Sequence, residues 1–234
     1  MRQTLTQSLR GWSLALALGL IAPLSQAGGL ADLSEKDSSA GLREALSKGA
    51  DYAVSTLGQA GGFAGNPKVK IELPDSLHAA EKALRTFGKG AQADELVATM
   101  NKAAETAVVQ AKPVLLNAIK QMSVQDAKGI LTGGEDAATQ YFKRTTSGTL
   151  NDKFLPIVKQ ATAKVQLADK YNSFAGKAAN FGLVDKQDAN LDGYVTRKTL
   201  DGLFLMVAEQ EKAIRKDPIG TGSALLGKVF GSLR

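Results

Sequence analysis

The most regular run of oxygen-bearing side chains in the sequence is Asp188-Ala189-Asn190-Leu191-Asp192-Gly193-Tyr194-Val195. Its spacing matches the opening of a calcium loop: oxygen side chains at positions one, three and five, glycine at six, the Tyr194 carbonyl at seven and an apolar residue at eight. Alternate side chains of so tight a loop converge on one hard cation, and glycine permits the sharp turn. The pattern breaks at position twelve, where Thr199 replaces the carboxylate that closes such a site and stands beside Arg197 and Lys198. A turn rich in Asn, Asp and Gly that caps the following helix accounts for the same letters. Calcium is the one metal for which the sequence makes a case, with Asp188, Asn190, Asp192 and Tyr194 as ligands. No motif requires a cofactor.

A second constellation is Asp201, Glu209, Glu211, Lys212, Arg215, Lys216 and Asp217. Glu211 and Arg215 are four residues apart, the spacing of an ion pair along one helix face. Lining a groove, Glu209 or Glu211 would act as a general acid beside a second carboxylate such as Glu105, with Arg215 as an anion clamp. That is the equipment of a hydrolase acting on glycans. A charge network on or between helices uses the same residues. Asp201, Glu209, Glu211 and Arg215 are the candidates for a ligand or partner site. His78 is the one histidine and falls on the polar side of its helix; a lone surface histidine supports neither a zinc site nor a catalytic triad. The glycine pairs at 61–62 and 133–134 lack the Lys-Ser/Thr of a phosphate loop and are breakers.

Helices must position these groups, because apolar residues recur at helical spacing almost everywhere. Leu42 to Leu57 forms one stripe, ended by Gly58 to Gly62. Leu77 to Phe87 forms a second, opened by Pro74-Asp75-Ser76 and closed by Gly88. A third runs from Leu96 to Ala111, and Pro113 starts the helix carrying Leu115, Ile119 and Met122. Ser123-Val124-Gln125-Asp126 reads as a capping box, with Asp in the usual place of Glu, for a short helix that stops at Gly133-Gly134. Another helix spans Asp136 to Thr145. The longest stripe extends from Leu150 to Ala175, with Pro156 in its first turn, where its missing amide is tolerated. Thr196 is expected to cap the helix that carries Leu200 to Ile214 and ends at Asp217-Pro218. A last helix follows Ser223. Only Val69 to Leu73 alternates like a strand, and without a partner it is read as an extended connector. The expectation is an all-α, compact, bundle-like domain of about eight or nine helices.

The N-terminus carries an export signal: Arg2 and Arg10, the apolar run Trp12 to Leu24, then Ser25-Gln26-Ala27, with small residues at the first and third positions before the cut. The expected organisation is a signal peptide at 1–27 cleaved near Ala27, a flexible polar lead at 28–38, and one domain at 39–234. The apolar run, interrupted by Gly19 and Pro23, is shorter than the roughly 20 residues a permanent anchor needs. No integral membrane segment is expected in the mature chain, which the signal sends to the periplasm as a soluble protein. The chain contains no cysteine, so disulfides, thiolate nucleophiles, thiolate metal sites and a lipid-acceptor thiol are all ruled out. The net charge of +6 includes the two signal arginines and is otherwise dispersed. Nucleic acid is not an expected partner, since no dense basic block with interleaved aromatics is present.

Several stretches resemble an exported bacterial family known as domain of unknown function four-one-nine-seven. They are GF.GNP.VKI.LP at Phe63 to Leu77, MN.AAE.A...A.P....AI..M up to Met122, DAAT.YF at Asp136 to Phe142, F.PIV, and YVT...LDGLF...AE.EK.IRKDP...G..LL.KVF at Tyr194 to Phe230. The likeness runs from about Gly41 to Phe230, and Leu200 to Pro218 is its most specific part. Many relatives are lipoproteins, an anchoring this cysteine-free chain cannot share. The resemblance implies export and fold, and carries no chemistry. Three readings follow. First is a non-enzymatic periplasmic helical protein that binds an envelope protein, or an apolar or peptidoglycan-derived ligand in a cleft between helices. The others are a carboxylate-based hydrolase acting on envelope glycans and a calcium-stabilised structural module.

Overall fold

A computed structural model describes residues 35–180 and 189–217. The stretch expected as a signal peptide, Asp188 and the helix expected after Ser223 lie outside the described residues. Among them the chain forms eight α-helices and one 3-10 turn: α1 (Glu35–Gly58), the turn (Asp75–Leu77), α2 (His78–Thr86), α3 (Gly90–Val108), α4 (Ala111–Gln121), α5 (Val124–Thr132), α6 (Ala137–Thr162), α7 (Gln166–Asn180) and α8 (Leu191–Lys216). The all-α expectation holds, and no strand occurs among the described residues.

The local signals explain most helix ends. α1 buries the stripe Leu42, Ala45, Leu46, Ala53, Val54 and Leu57. Its described part runs from Glu35, inside the polar stretch expected as a flexible lead, and Ser38 is already buried there. α2 closes on Gly88, whose φ of 74° is left-handed. The Gly88 amide bonds the Arg85 carbonyl and the Lys89 amide bonds the Leu84 carbonyl, the paired bonds of a Schellman cap. α4 starts at Ala111, two residues before Pro113, so the proline sits within the first turn. The Ser123 and Asp126 capping box is present in full.

Three boundaries differ from expectation. Residues 137–162 form one uninterrupted helix of 26 residues, where a break between Thr145 and Leu150 was expected. The buried series Ala138, Phe142, Thr146, Leu150, Phe154, Val158 and Thr162 recurs every four residues, and this packed stripe carries the helix through the polar Arg144 to Thr149 segment. Pro156 therefore lies deep in the helix rather than in its first turn. Pro156 and Asp152 are both exposed, so water can satisfy the Asp152 carbonyl that loses its donor. The expected stripe from Leu150 to Ala175 is split at Ala163–Val165, where α6 ends and α7 begins. Finally, α8 starts at Leu191, not after Thr196. Asn190 is its cap, accepting the Gly193 amide at 3.1 Å, and Thr196 is buried in the helix interior.

α6 and α8 form the central pair, and α1, α3 and α4 pack around them. The face of α3 with Ala103, Ala104 and Ala107 is fully buried, and its short side chains let neighbouring helices approach closely. Gly202 of α8 lies against Phe63; a Cβ there would stand 2.8 Å from the ring. The connector Val69 to Leu73 buries alternate residues Val69, Ile71 and Leu73, as its pattern implies. Its hydrogen-bonding partner is a side chain. Asn101 Oδ1 accepts the Ile71 amide at 2.9 Å, and Asn101 Nδ2 donates to the Ile71 carbonyl at 2.8 Å.

Candidate functional site

Glu211 is buried, and two backbone amides, one hydroxyl and one guanidinium hold it. Its Oε1 accepts the Ala138 amide and its Oε2 accepts the Thr139 amide and hydroxyl, all at 2.9 Å. These amides belong to the first turn of α6, which has no partners within its own helix. The residue preceding α6, Asp136, makes no cap bond and instead accepts from Gln140. A carboxylate from α8 thus caps α6, where the positive end of the helix dipole favours an anion. Arg215 donates to Glu211 Oε1 through Nε and Nη2 at 3.2 and 2.9 Å, and through Nη2 to the Ile130 carbonyl in the last turn of α5 at 2.8 Å. The pair fastens two helix ends to α8.

Glu105 is committed in the same way, its Oε1 accepting the Phe63 and Ala64 amides at 3.1 and 3.2 Å. Glu209 is half-buried and pairs with Lys68 at the surface, while Asp201 is exposed. Glu105, Glu209 and Glu211 therefore hold separate partners rather than converging around one groove. His78 is exposed beside Asp75.

The described part of the calcium-loop pattern forms a helix start. Asn190 is spent on the Gly193 amide, and Leu191 to Thr199 are helical. Asp192 is buried and accepts the Thr162 hydroxyl at 2.5 Å, joining the start of α8 to the end of α6. The Tyr194 hydroxyl donates to the Glu72 carbonyl. No group of three or more His, Asp or Glu side chains poised for a metal occurs among the described residues.

A depression lies elsewhere, between α4 and α6 with the first turn of α5 at one end. It is a groove of about 610 Å³ with a predominantly polar lining. α4 supplies Pro113, Asn117 and Gln121, and α6 supplies Thr145, Thr149 and Lys153, each set at four-residue spacing along one helix ridge. Tyr141 is buried at the floor, its hydroxyl donating to the Ala118 carbonyl at 2.8 Å. Burial pushes its phenol above the ordinary value, so it remains a neutral donor. Arg144 lies over the Tyr141 ring at 5.7 Å, with Nη2 3.7 Å from Asp126 Oδ1. The other oxygen of Asp126 is engaged by the Ser123 hydroxyl and amide, which hold the carboxyl below the usual range. Asn117, Gln121, Thr149 and Lys153 make no side-chain hydrogen bond or ion pair among the described residues. Sequence reading passed over these groove residues. Their signal was the two polar ridges, which mean a groove only once α4 and α6 are known to be neighbours. A second depression, about 380 Å³, has Val54, Gly58 and Val109 in its wall beside the Asp51–Lys112 pair.

The described residues define an all-helical domain whose buried charges brace helix ends. The profile of the family described as protein of unknown function (DUF4197) matches residues 32–231, and the chain belongs to that family. No curated protein and no solved structure matches it. Among the described residues no helix is long and apolar enough to cross a membrane.

Proposed function

We propose that this is a non-enzymatic binding protein of the bacterial periplasm, released there by cleavage of its N-terminal signal, and that the α4–α6 groove receives a polar, peptidoglycan-derived ligand. The observation that carries the reading is a division of labour. The charged side chains a catalytic mechanism would need, Glu105, Glu211 and Arg215, are consumed by backbone groups, whereas the amides, hydroxyl and ammonium in the groove are left for an outside partner. Small-ligand sites use a few placed polar groups to fix orientation, and here two rigid helices supply them. The polar lining favours a hydrogen-bonding ligand over an apolar one.

The test is retention of fragments from a peptidoglycan digest by the purified protein, with the eluted material weighed by mass spectrometry. Unaltered fragments should be retained, and retention should be lost in Thr149→Trp, which fills the groove from an exposed position and leaves the melting temperature unchanged. Cleaved products that disappear in a folded Glu105→Gln or Glu211→Gln variant would instead establish the hydrolase. Retention of nothing, or retention indifferent to Thr149→Trp, also overturns the reading.

A further inference from the structure

Building on the binding reading, we infer that the ligand of the α4–α6 groove is an acidic saccharide, a short sugar chain bearing carboxylates, and that Arg144 and Lys153 recognise its charge. The two cations lie nine residues apart on α6, about 13 Å along the axis at 1.5 Å per residue. Both line the same groove: Lys153 continues the Thr145 and Thr149 ridge, and Arg144 enters beside Tyr141. Between them the lining offers hydroxyl and amide groups: Thr149, Asn117 and Gln121 both donate and accept, and Thr145, whose hydroxyl donates to the Tyr141 carbonyl, accepts, a set that suits a ligand rich in hydroxyls.

The charge balance supports an anion. Asp126 is the one acid in the lining, and it is already engaged by Ser123 and faces Arg144. Arg144 plus Lys153 against Asp126 leaves the groove positive. Arg144 is pre-positioned by the face of Tyr141, so ordering its side chain on binding costs less, while its outer face stays open to solvent with two-thirds of the side chain exposed. Lys153 is exposed and has no competing acid among the described residues. A neutral glycan would use the hydroxyl and amide ridges and leave both cations idle. Inorganic phosphate would use one cation and none of the ridges.

Isothermal titration calorimetry of the full protein tests this with three probes: a disaccharide containing N-acetylmuramic acid, a chitin oligomer of the same length, and inorganic phosphate. The acidic disaccharide should bind at least tenfold more tightly than the neutral oligomer. Lys153→Ala and Arg144→Ala should each weaken it by about tenfold, as expected for a charge-assisted hydrogen bond, while Lys164→Ala, on the α6–α7 connection, changes nothing. Raising the salt concentration should weaken the acidic disaccharide and leave the neutral oligomer unaffected. Equal binding of acidic and neutral sugars, both lost in Thr149→Trp, overturns the inference and leaves the groove reading standing. Phosphate binding as tightly as the acidic sugar also overturns it. If no saccharide binds, both fail.

Discussion

Glu211 and Thr139 meet across the α6–α8 interface, where one carboxylate oxygen accepts both the amide and the hydroxyl of Thr139 at 2.9 Å. The other oxygen takes the Ala138 amide and Arg215. Removing this carboxylate strips α6 of its cap and leaves Arg215 without its charge partner. Glu211→Ala should cost about 3 kcal/mol, in the range for breaking a buried pair, and lower the melting temperature by roughly 6–12 °C. Glu211→Gln keeps one acceptor oxygen and should fall between. Urea unfolding of the three proteins checks the order; a Glu211→Gln variant as stable as the parent would show that the charge is not part of the brace.

Asn101 performs for the Val69 to Leu73 connector what a neighbouring strand would do in a sheet. Asn101→Ala leaves the amide and carbonyl of buried Ile71 unpaired, at about 1–3 kcal/mol for each group not reached by water. Hydrogen exchange at the Ile71 amide should accelerate more than exchange in α6. Unchanged exchange there would mean that another group holds the connector.

The capping box makes stability depend on acid pH. The Ser123 hydroxyl, then its amide, bond the ionised Asp126 and lower its pKa in the fold. A carboxyl whose folded pKa is depressed adds stability above its unfolded pKa of about 3.9 and loses it as pH falls through the folded value. The gap in melting temperature between the parent and Asp126→Asn should be constant at neutral pH and narrow below about pH 4. A gap that widens in acid contradicts the assignment.

Asp192 separates the helix-start reading from the calcium reading. Its bond to Thr162 ties α8 to α6 whether or not calcium is present. Asp192→Ala should lose about 1–2 kcal/mol, equally with calcium and with chelator. A calcium-dependent rise in the parent's melting temperature that vanishes in Asp192→Ala would establish the cation site instead.

What could be read in the letters depended on how far apart the interacting residues lie. The Ser123 box and the Gly88 stop are decided within a few residues and emerged as expected. The start of α8 was misplaced because Asn190 and Thr196 both qualify as caps, and only packing against α6 decides between them. The break at Thr145 was misread for a related reason: Arg144 to Thr149 is polar, but the four-residue series from Phe142 to Val158 runs straight through it. Much of the lettering that resembled a family proved to be framework. Asn101, Glu105, Thr139, Glu211 and Arg215 reach partners up to 85 residues away in sequence, which local spacing cannot foresee. The groove escaped for the same reason, since neither ridge alone implies the other.

In the proposed reading, the buried charges of this chain hold the frame while the α4–α6 groove meets the ligand. Chemical-shift mapping of the isotope-labelled protein, titrated with peptidoglycan digest, tests it most directly. Saturable shifts should concentrate at Asn117, Gln121, Arg144, Thr145, Thr149 and Lys153, with the amides around Glu105 and Glu211 unmoved. Shifts centred on Glu105, Glu209 or Glu211 with a silent groove would contradict it.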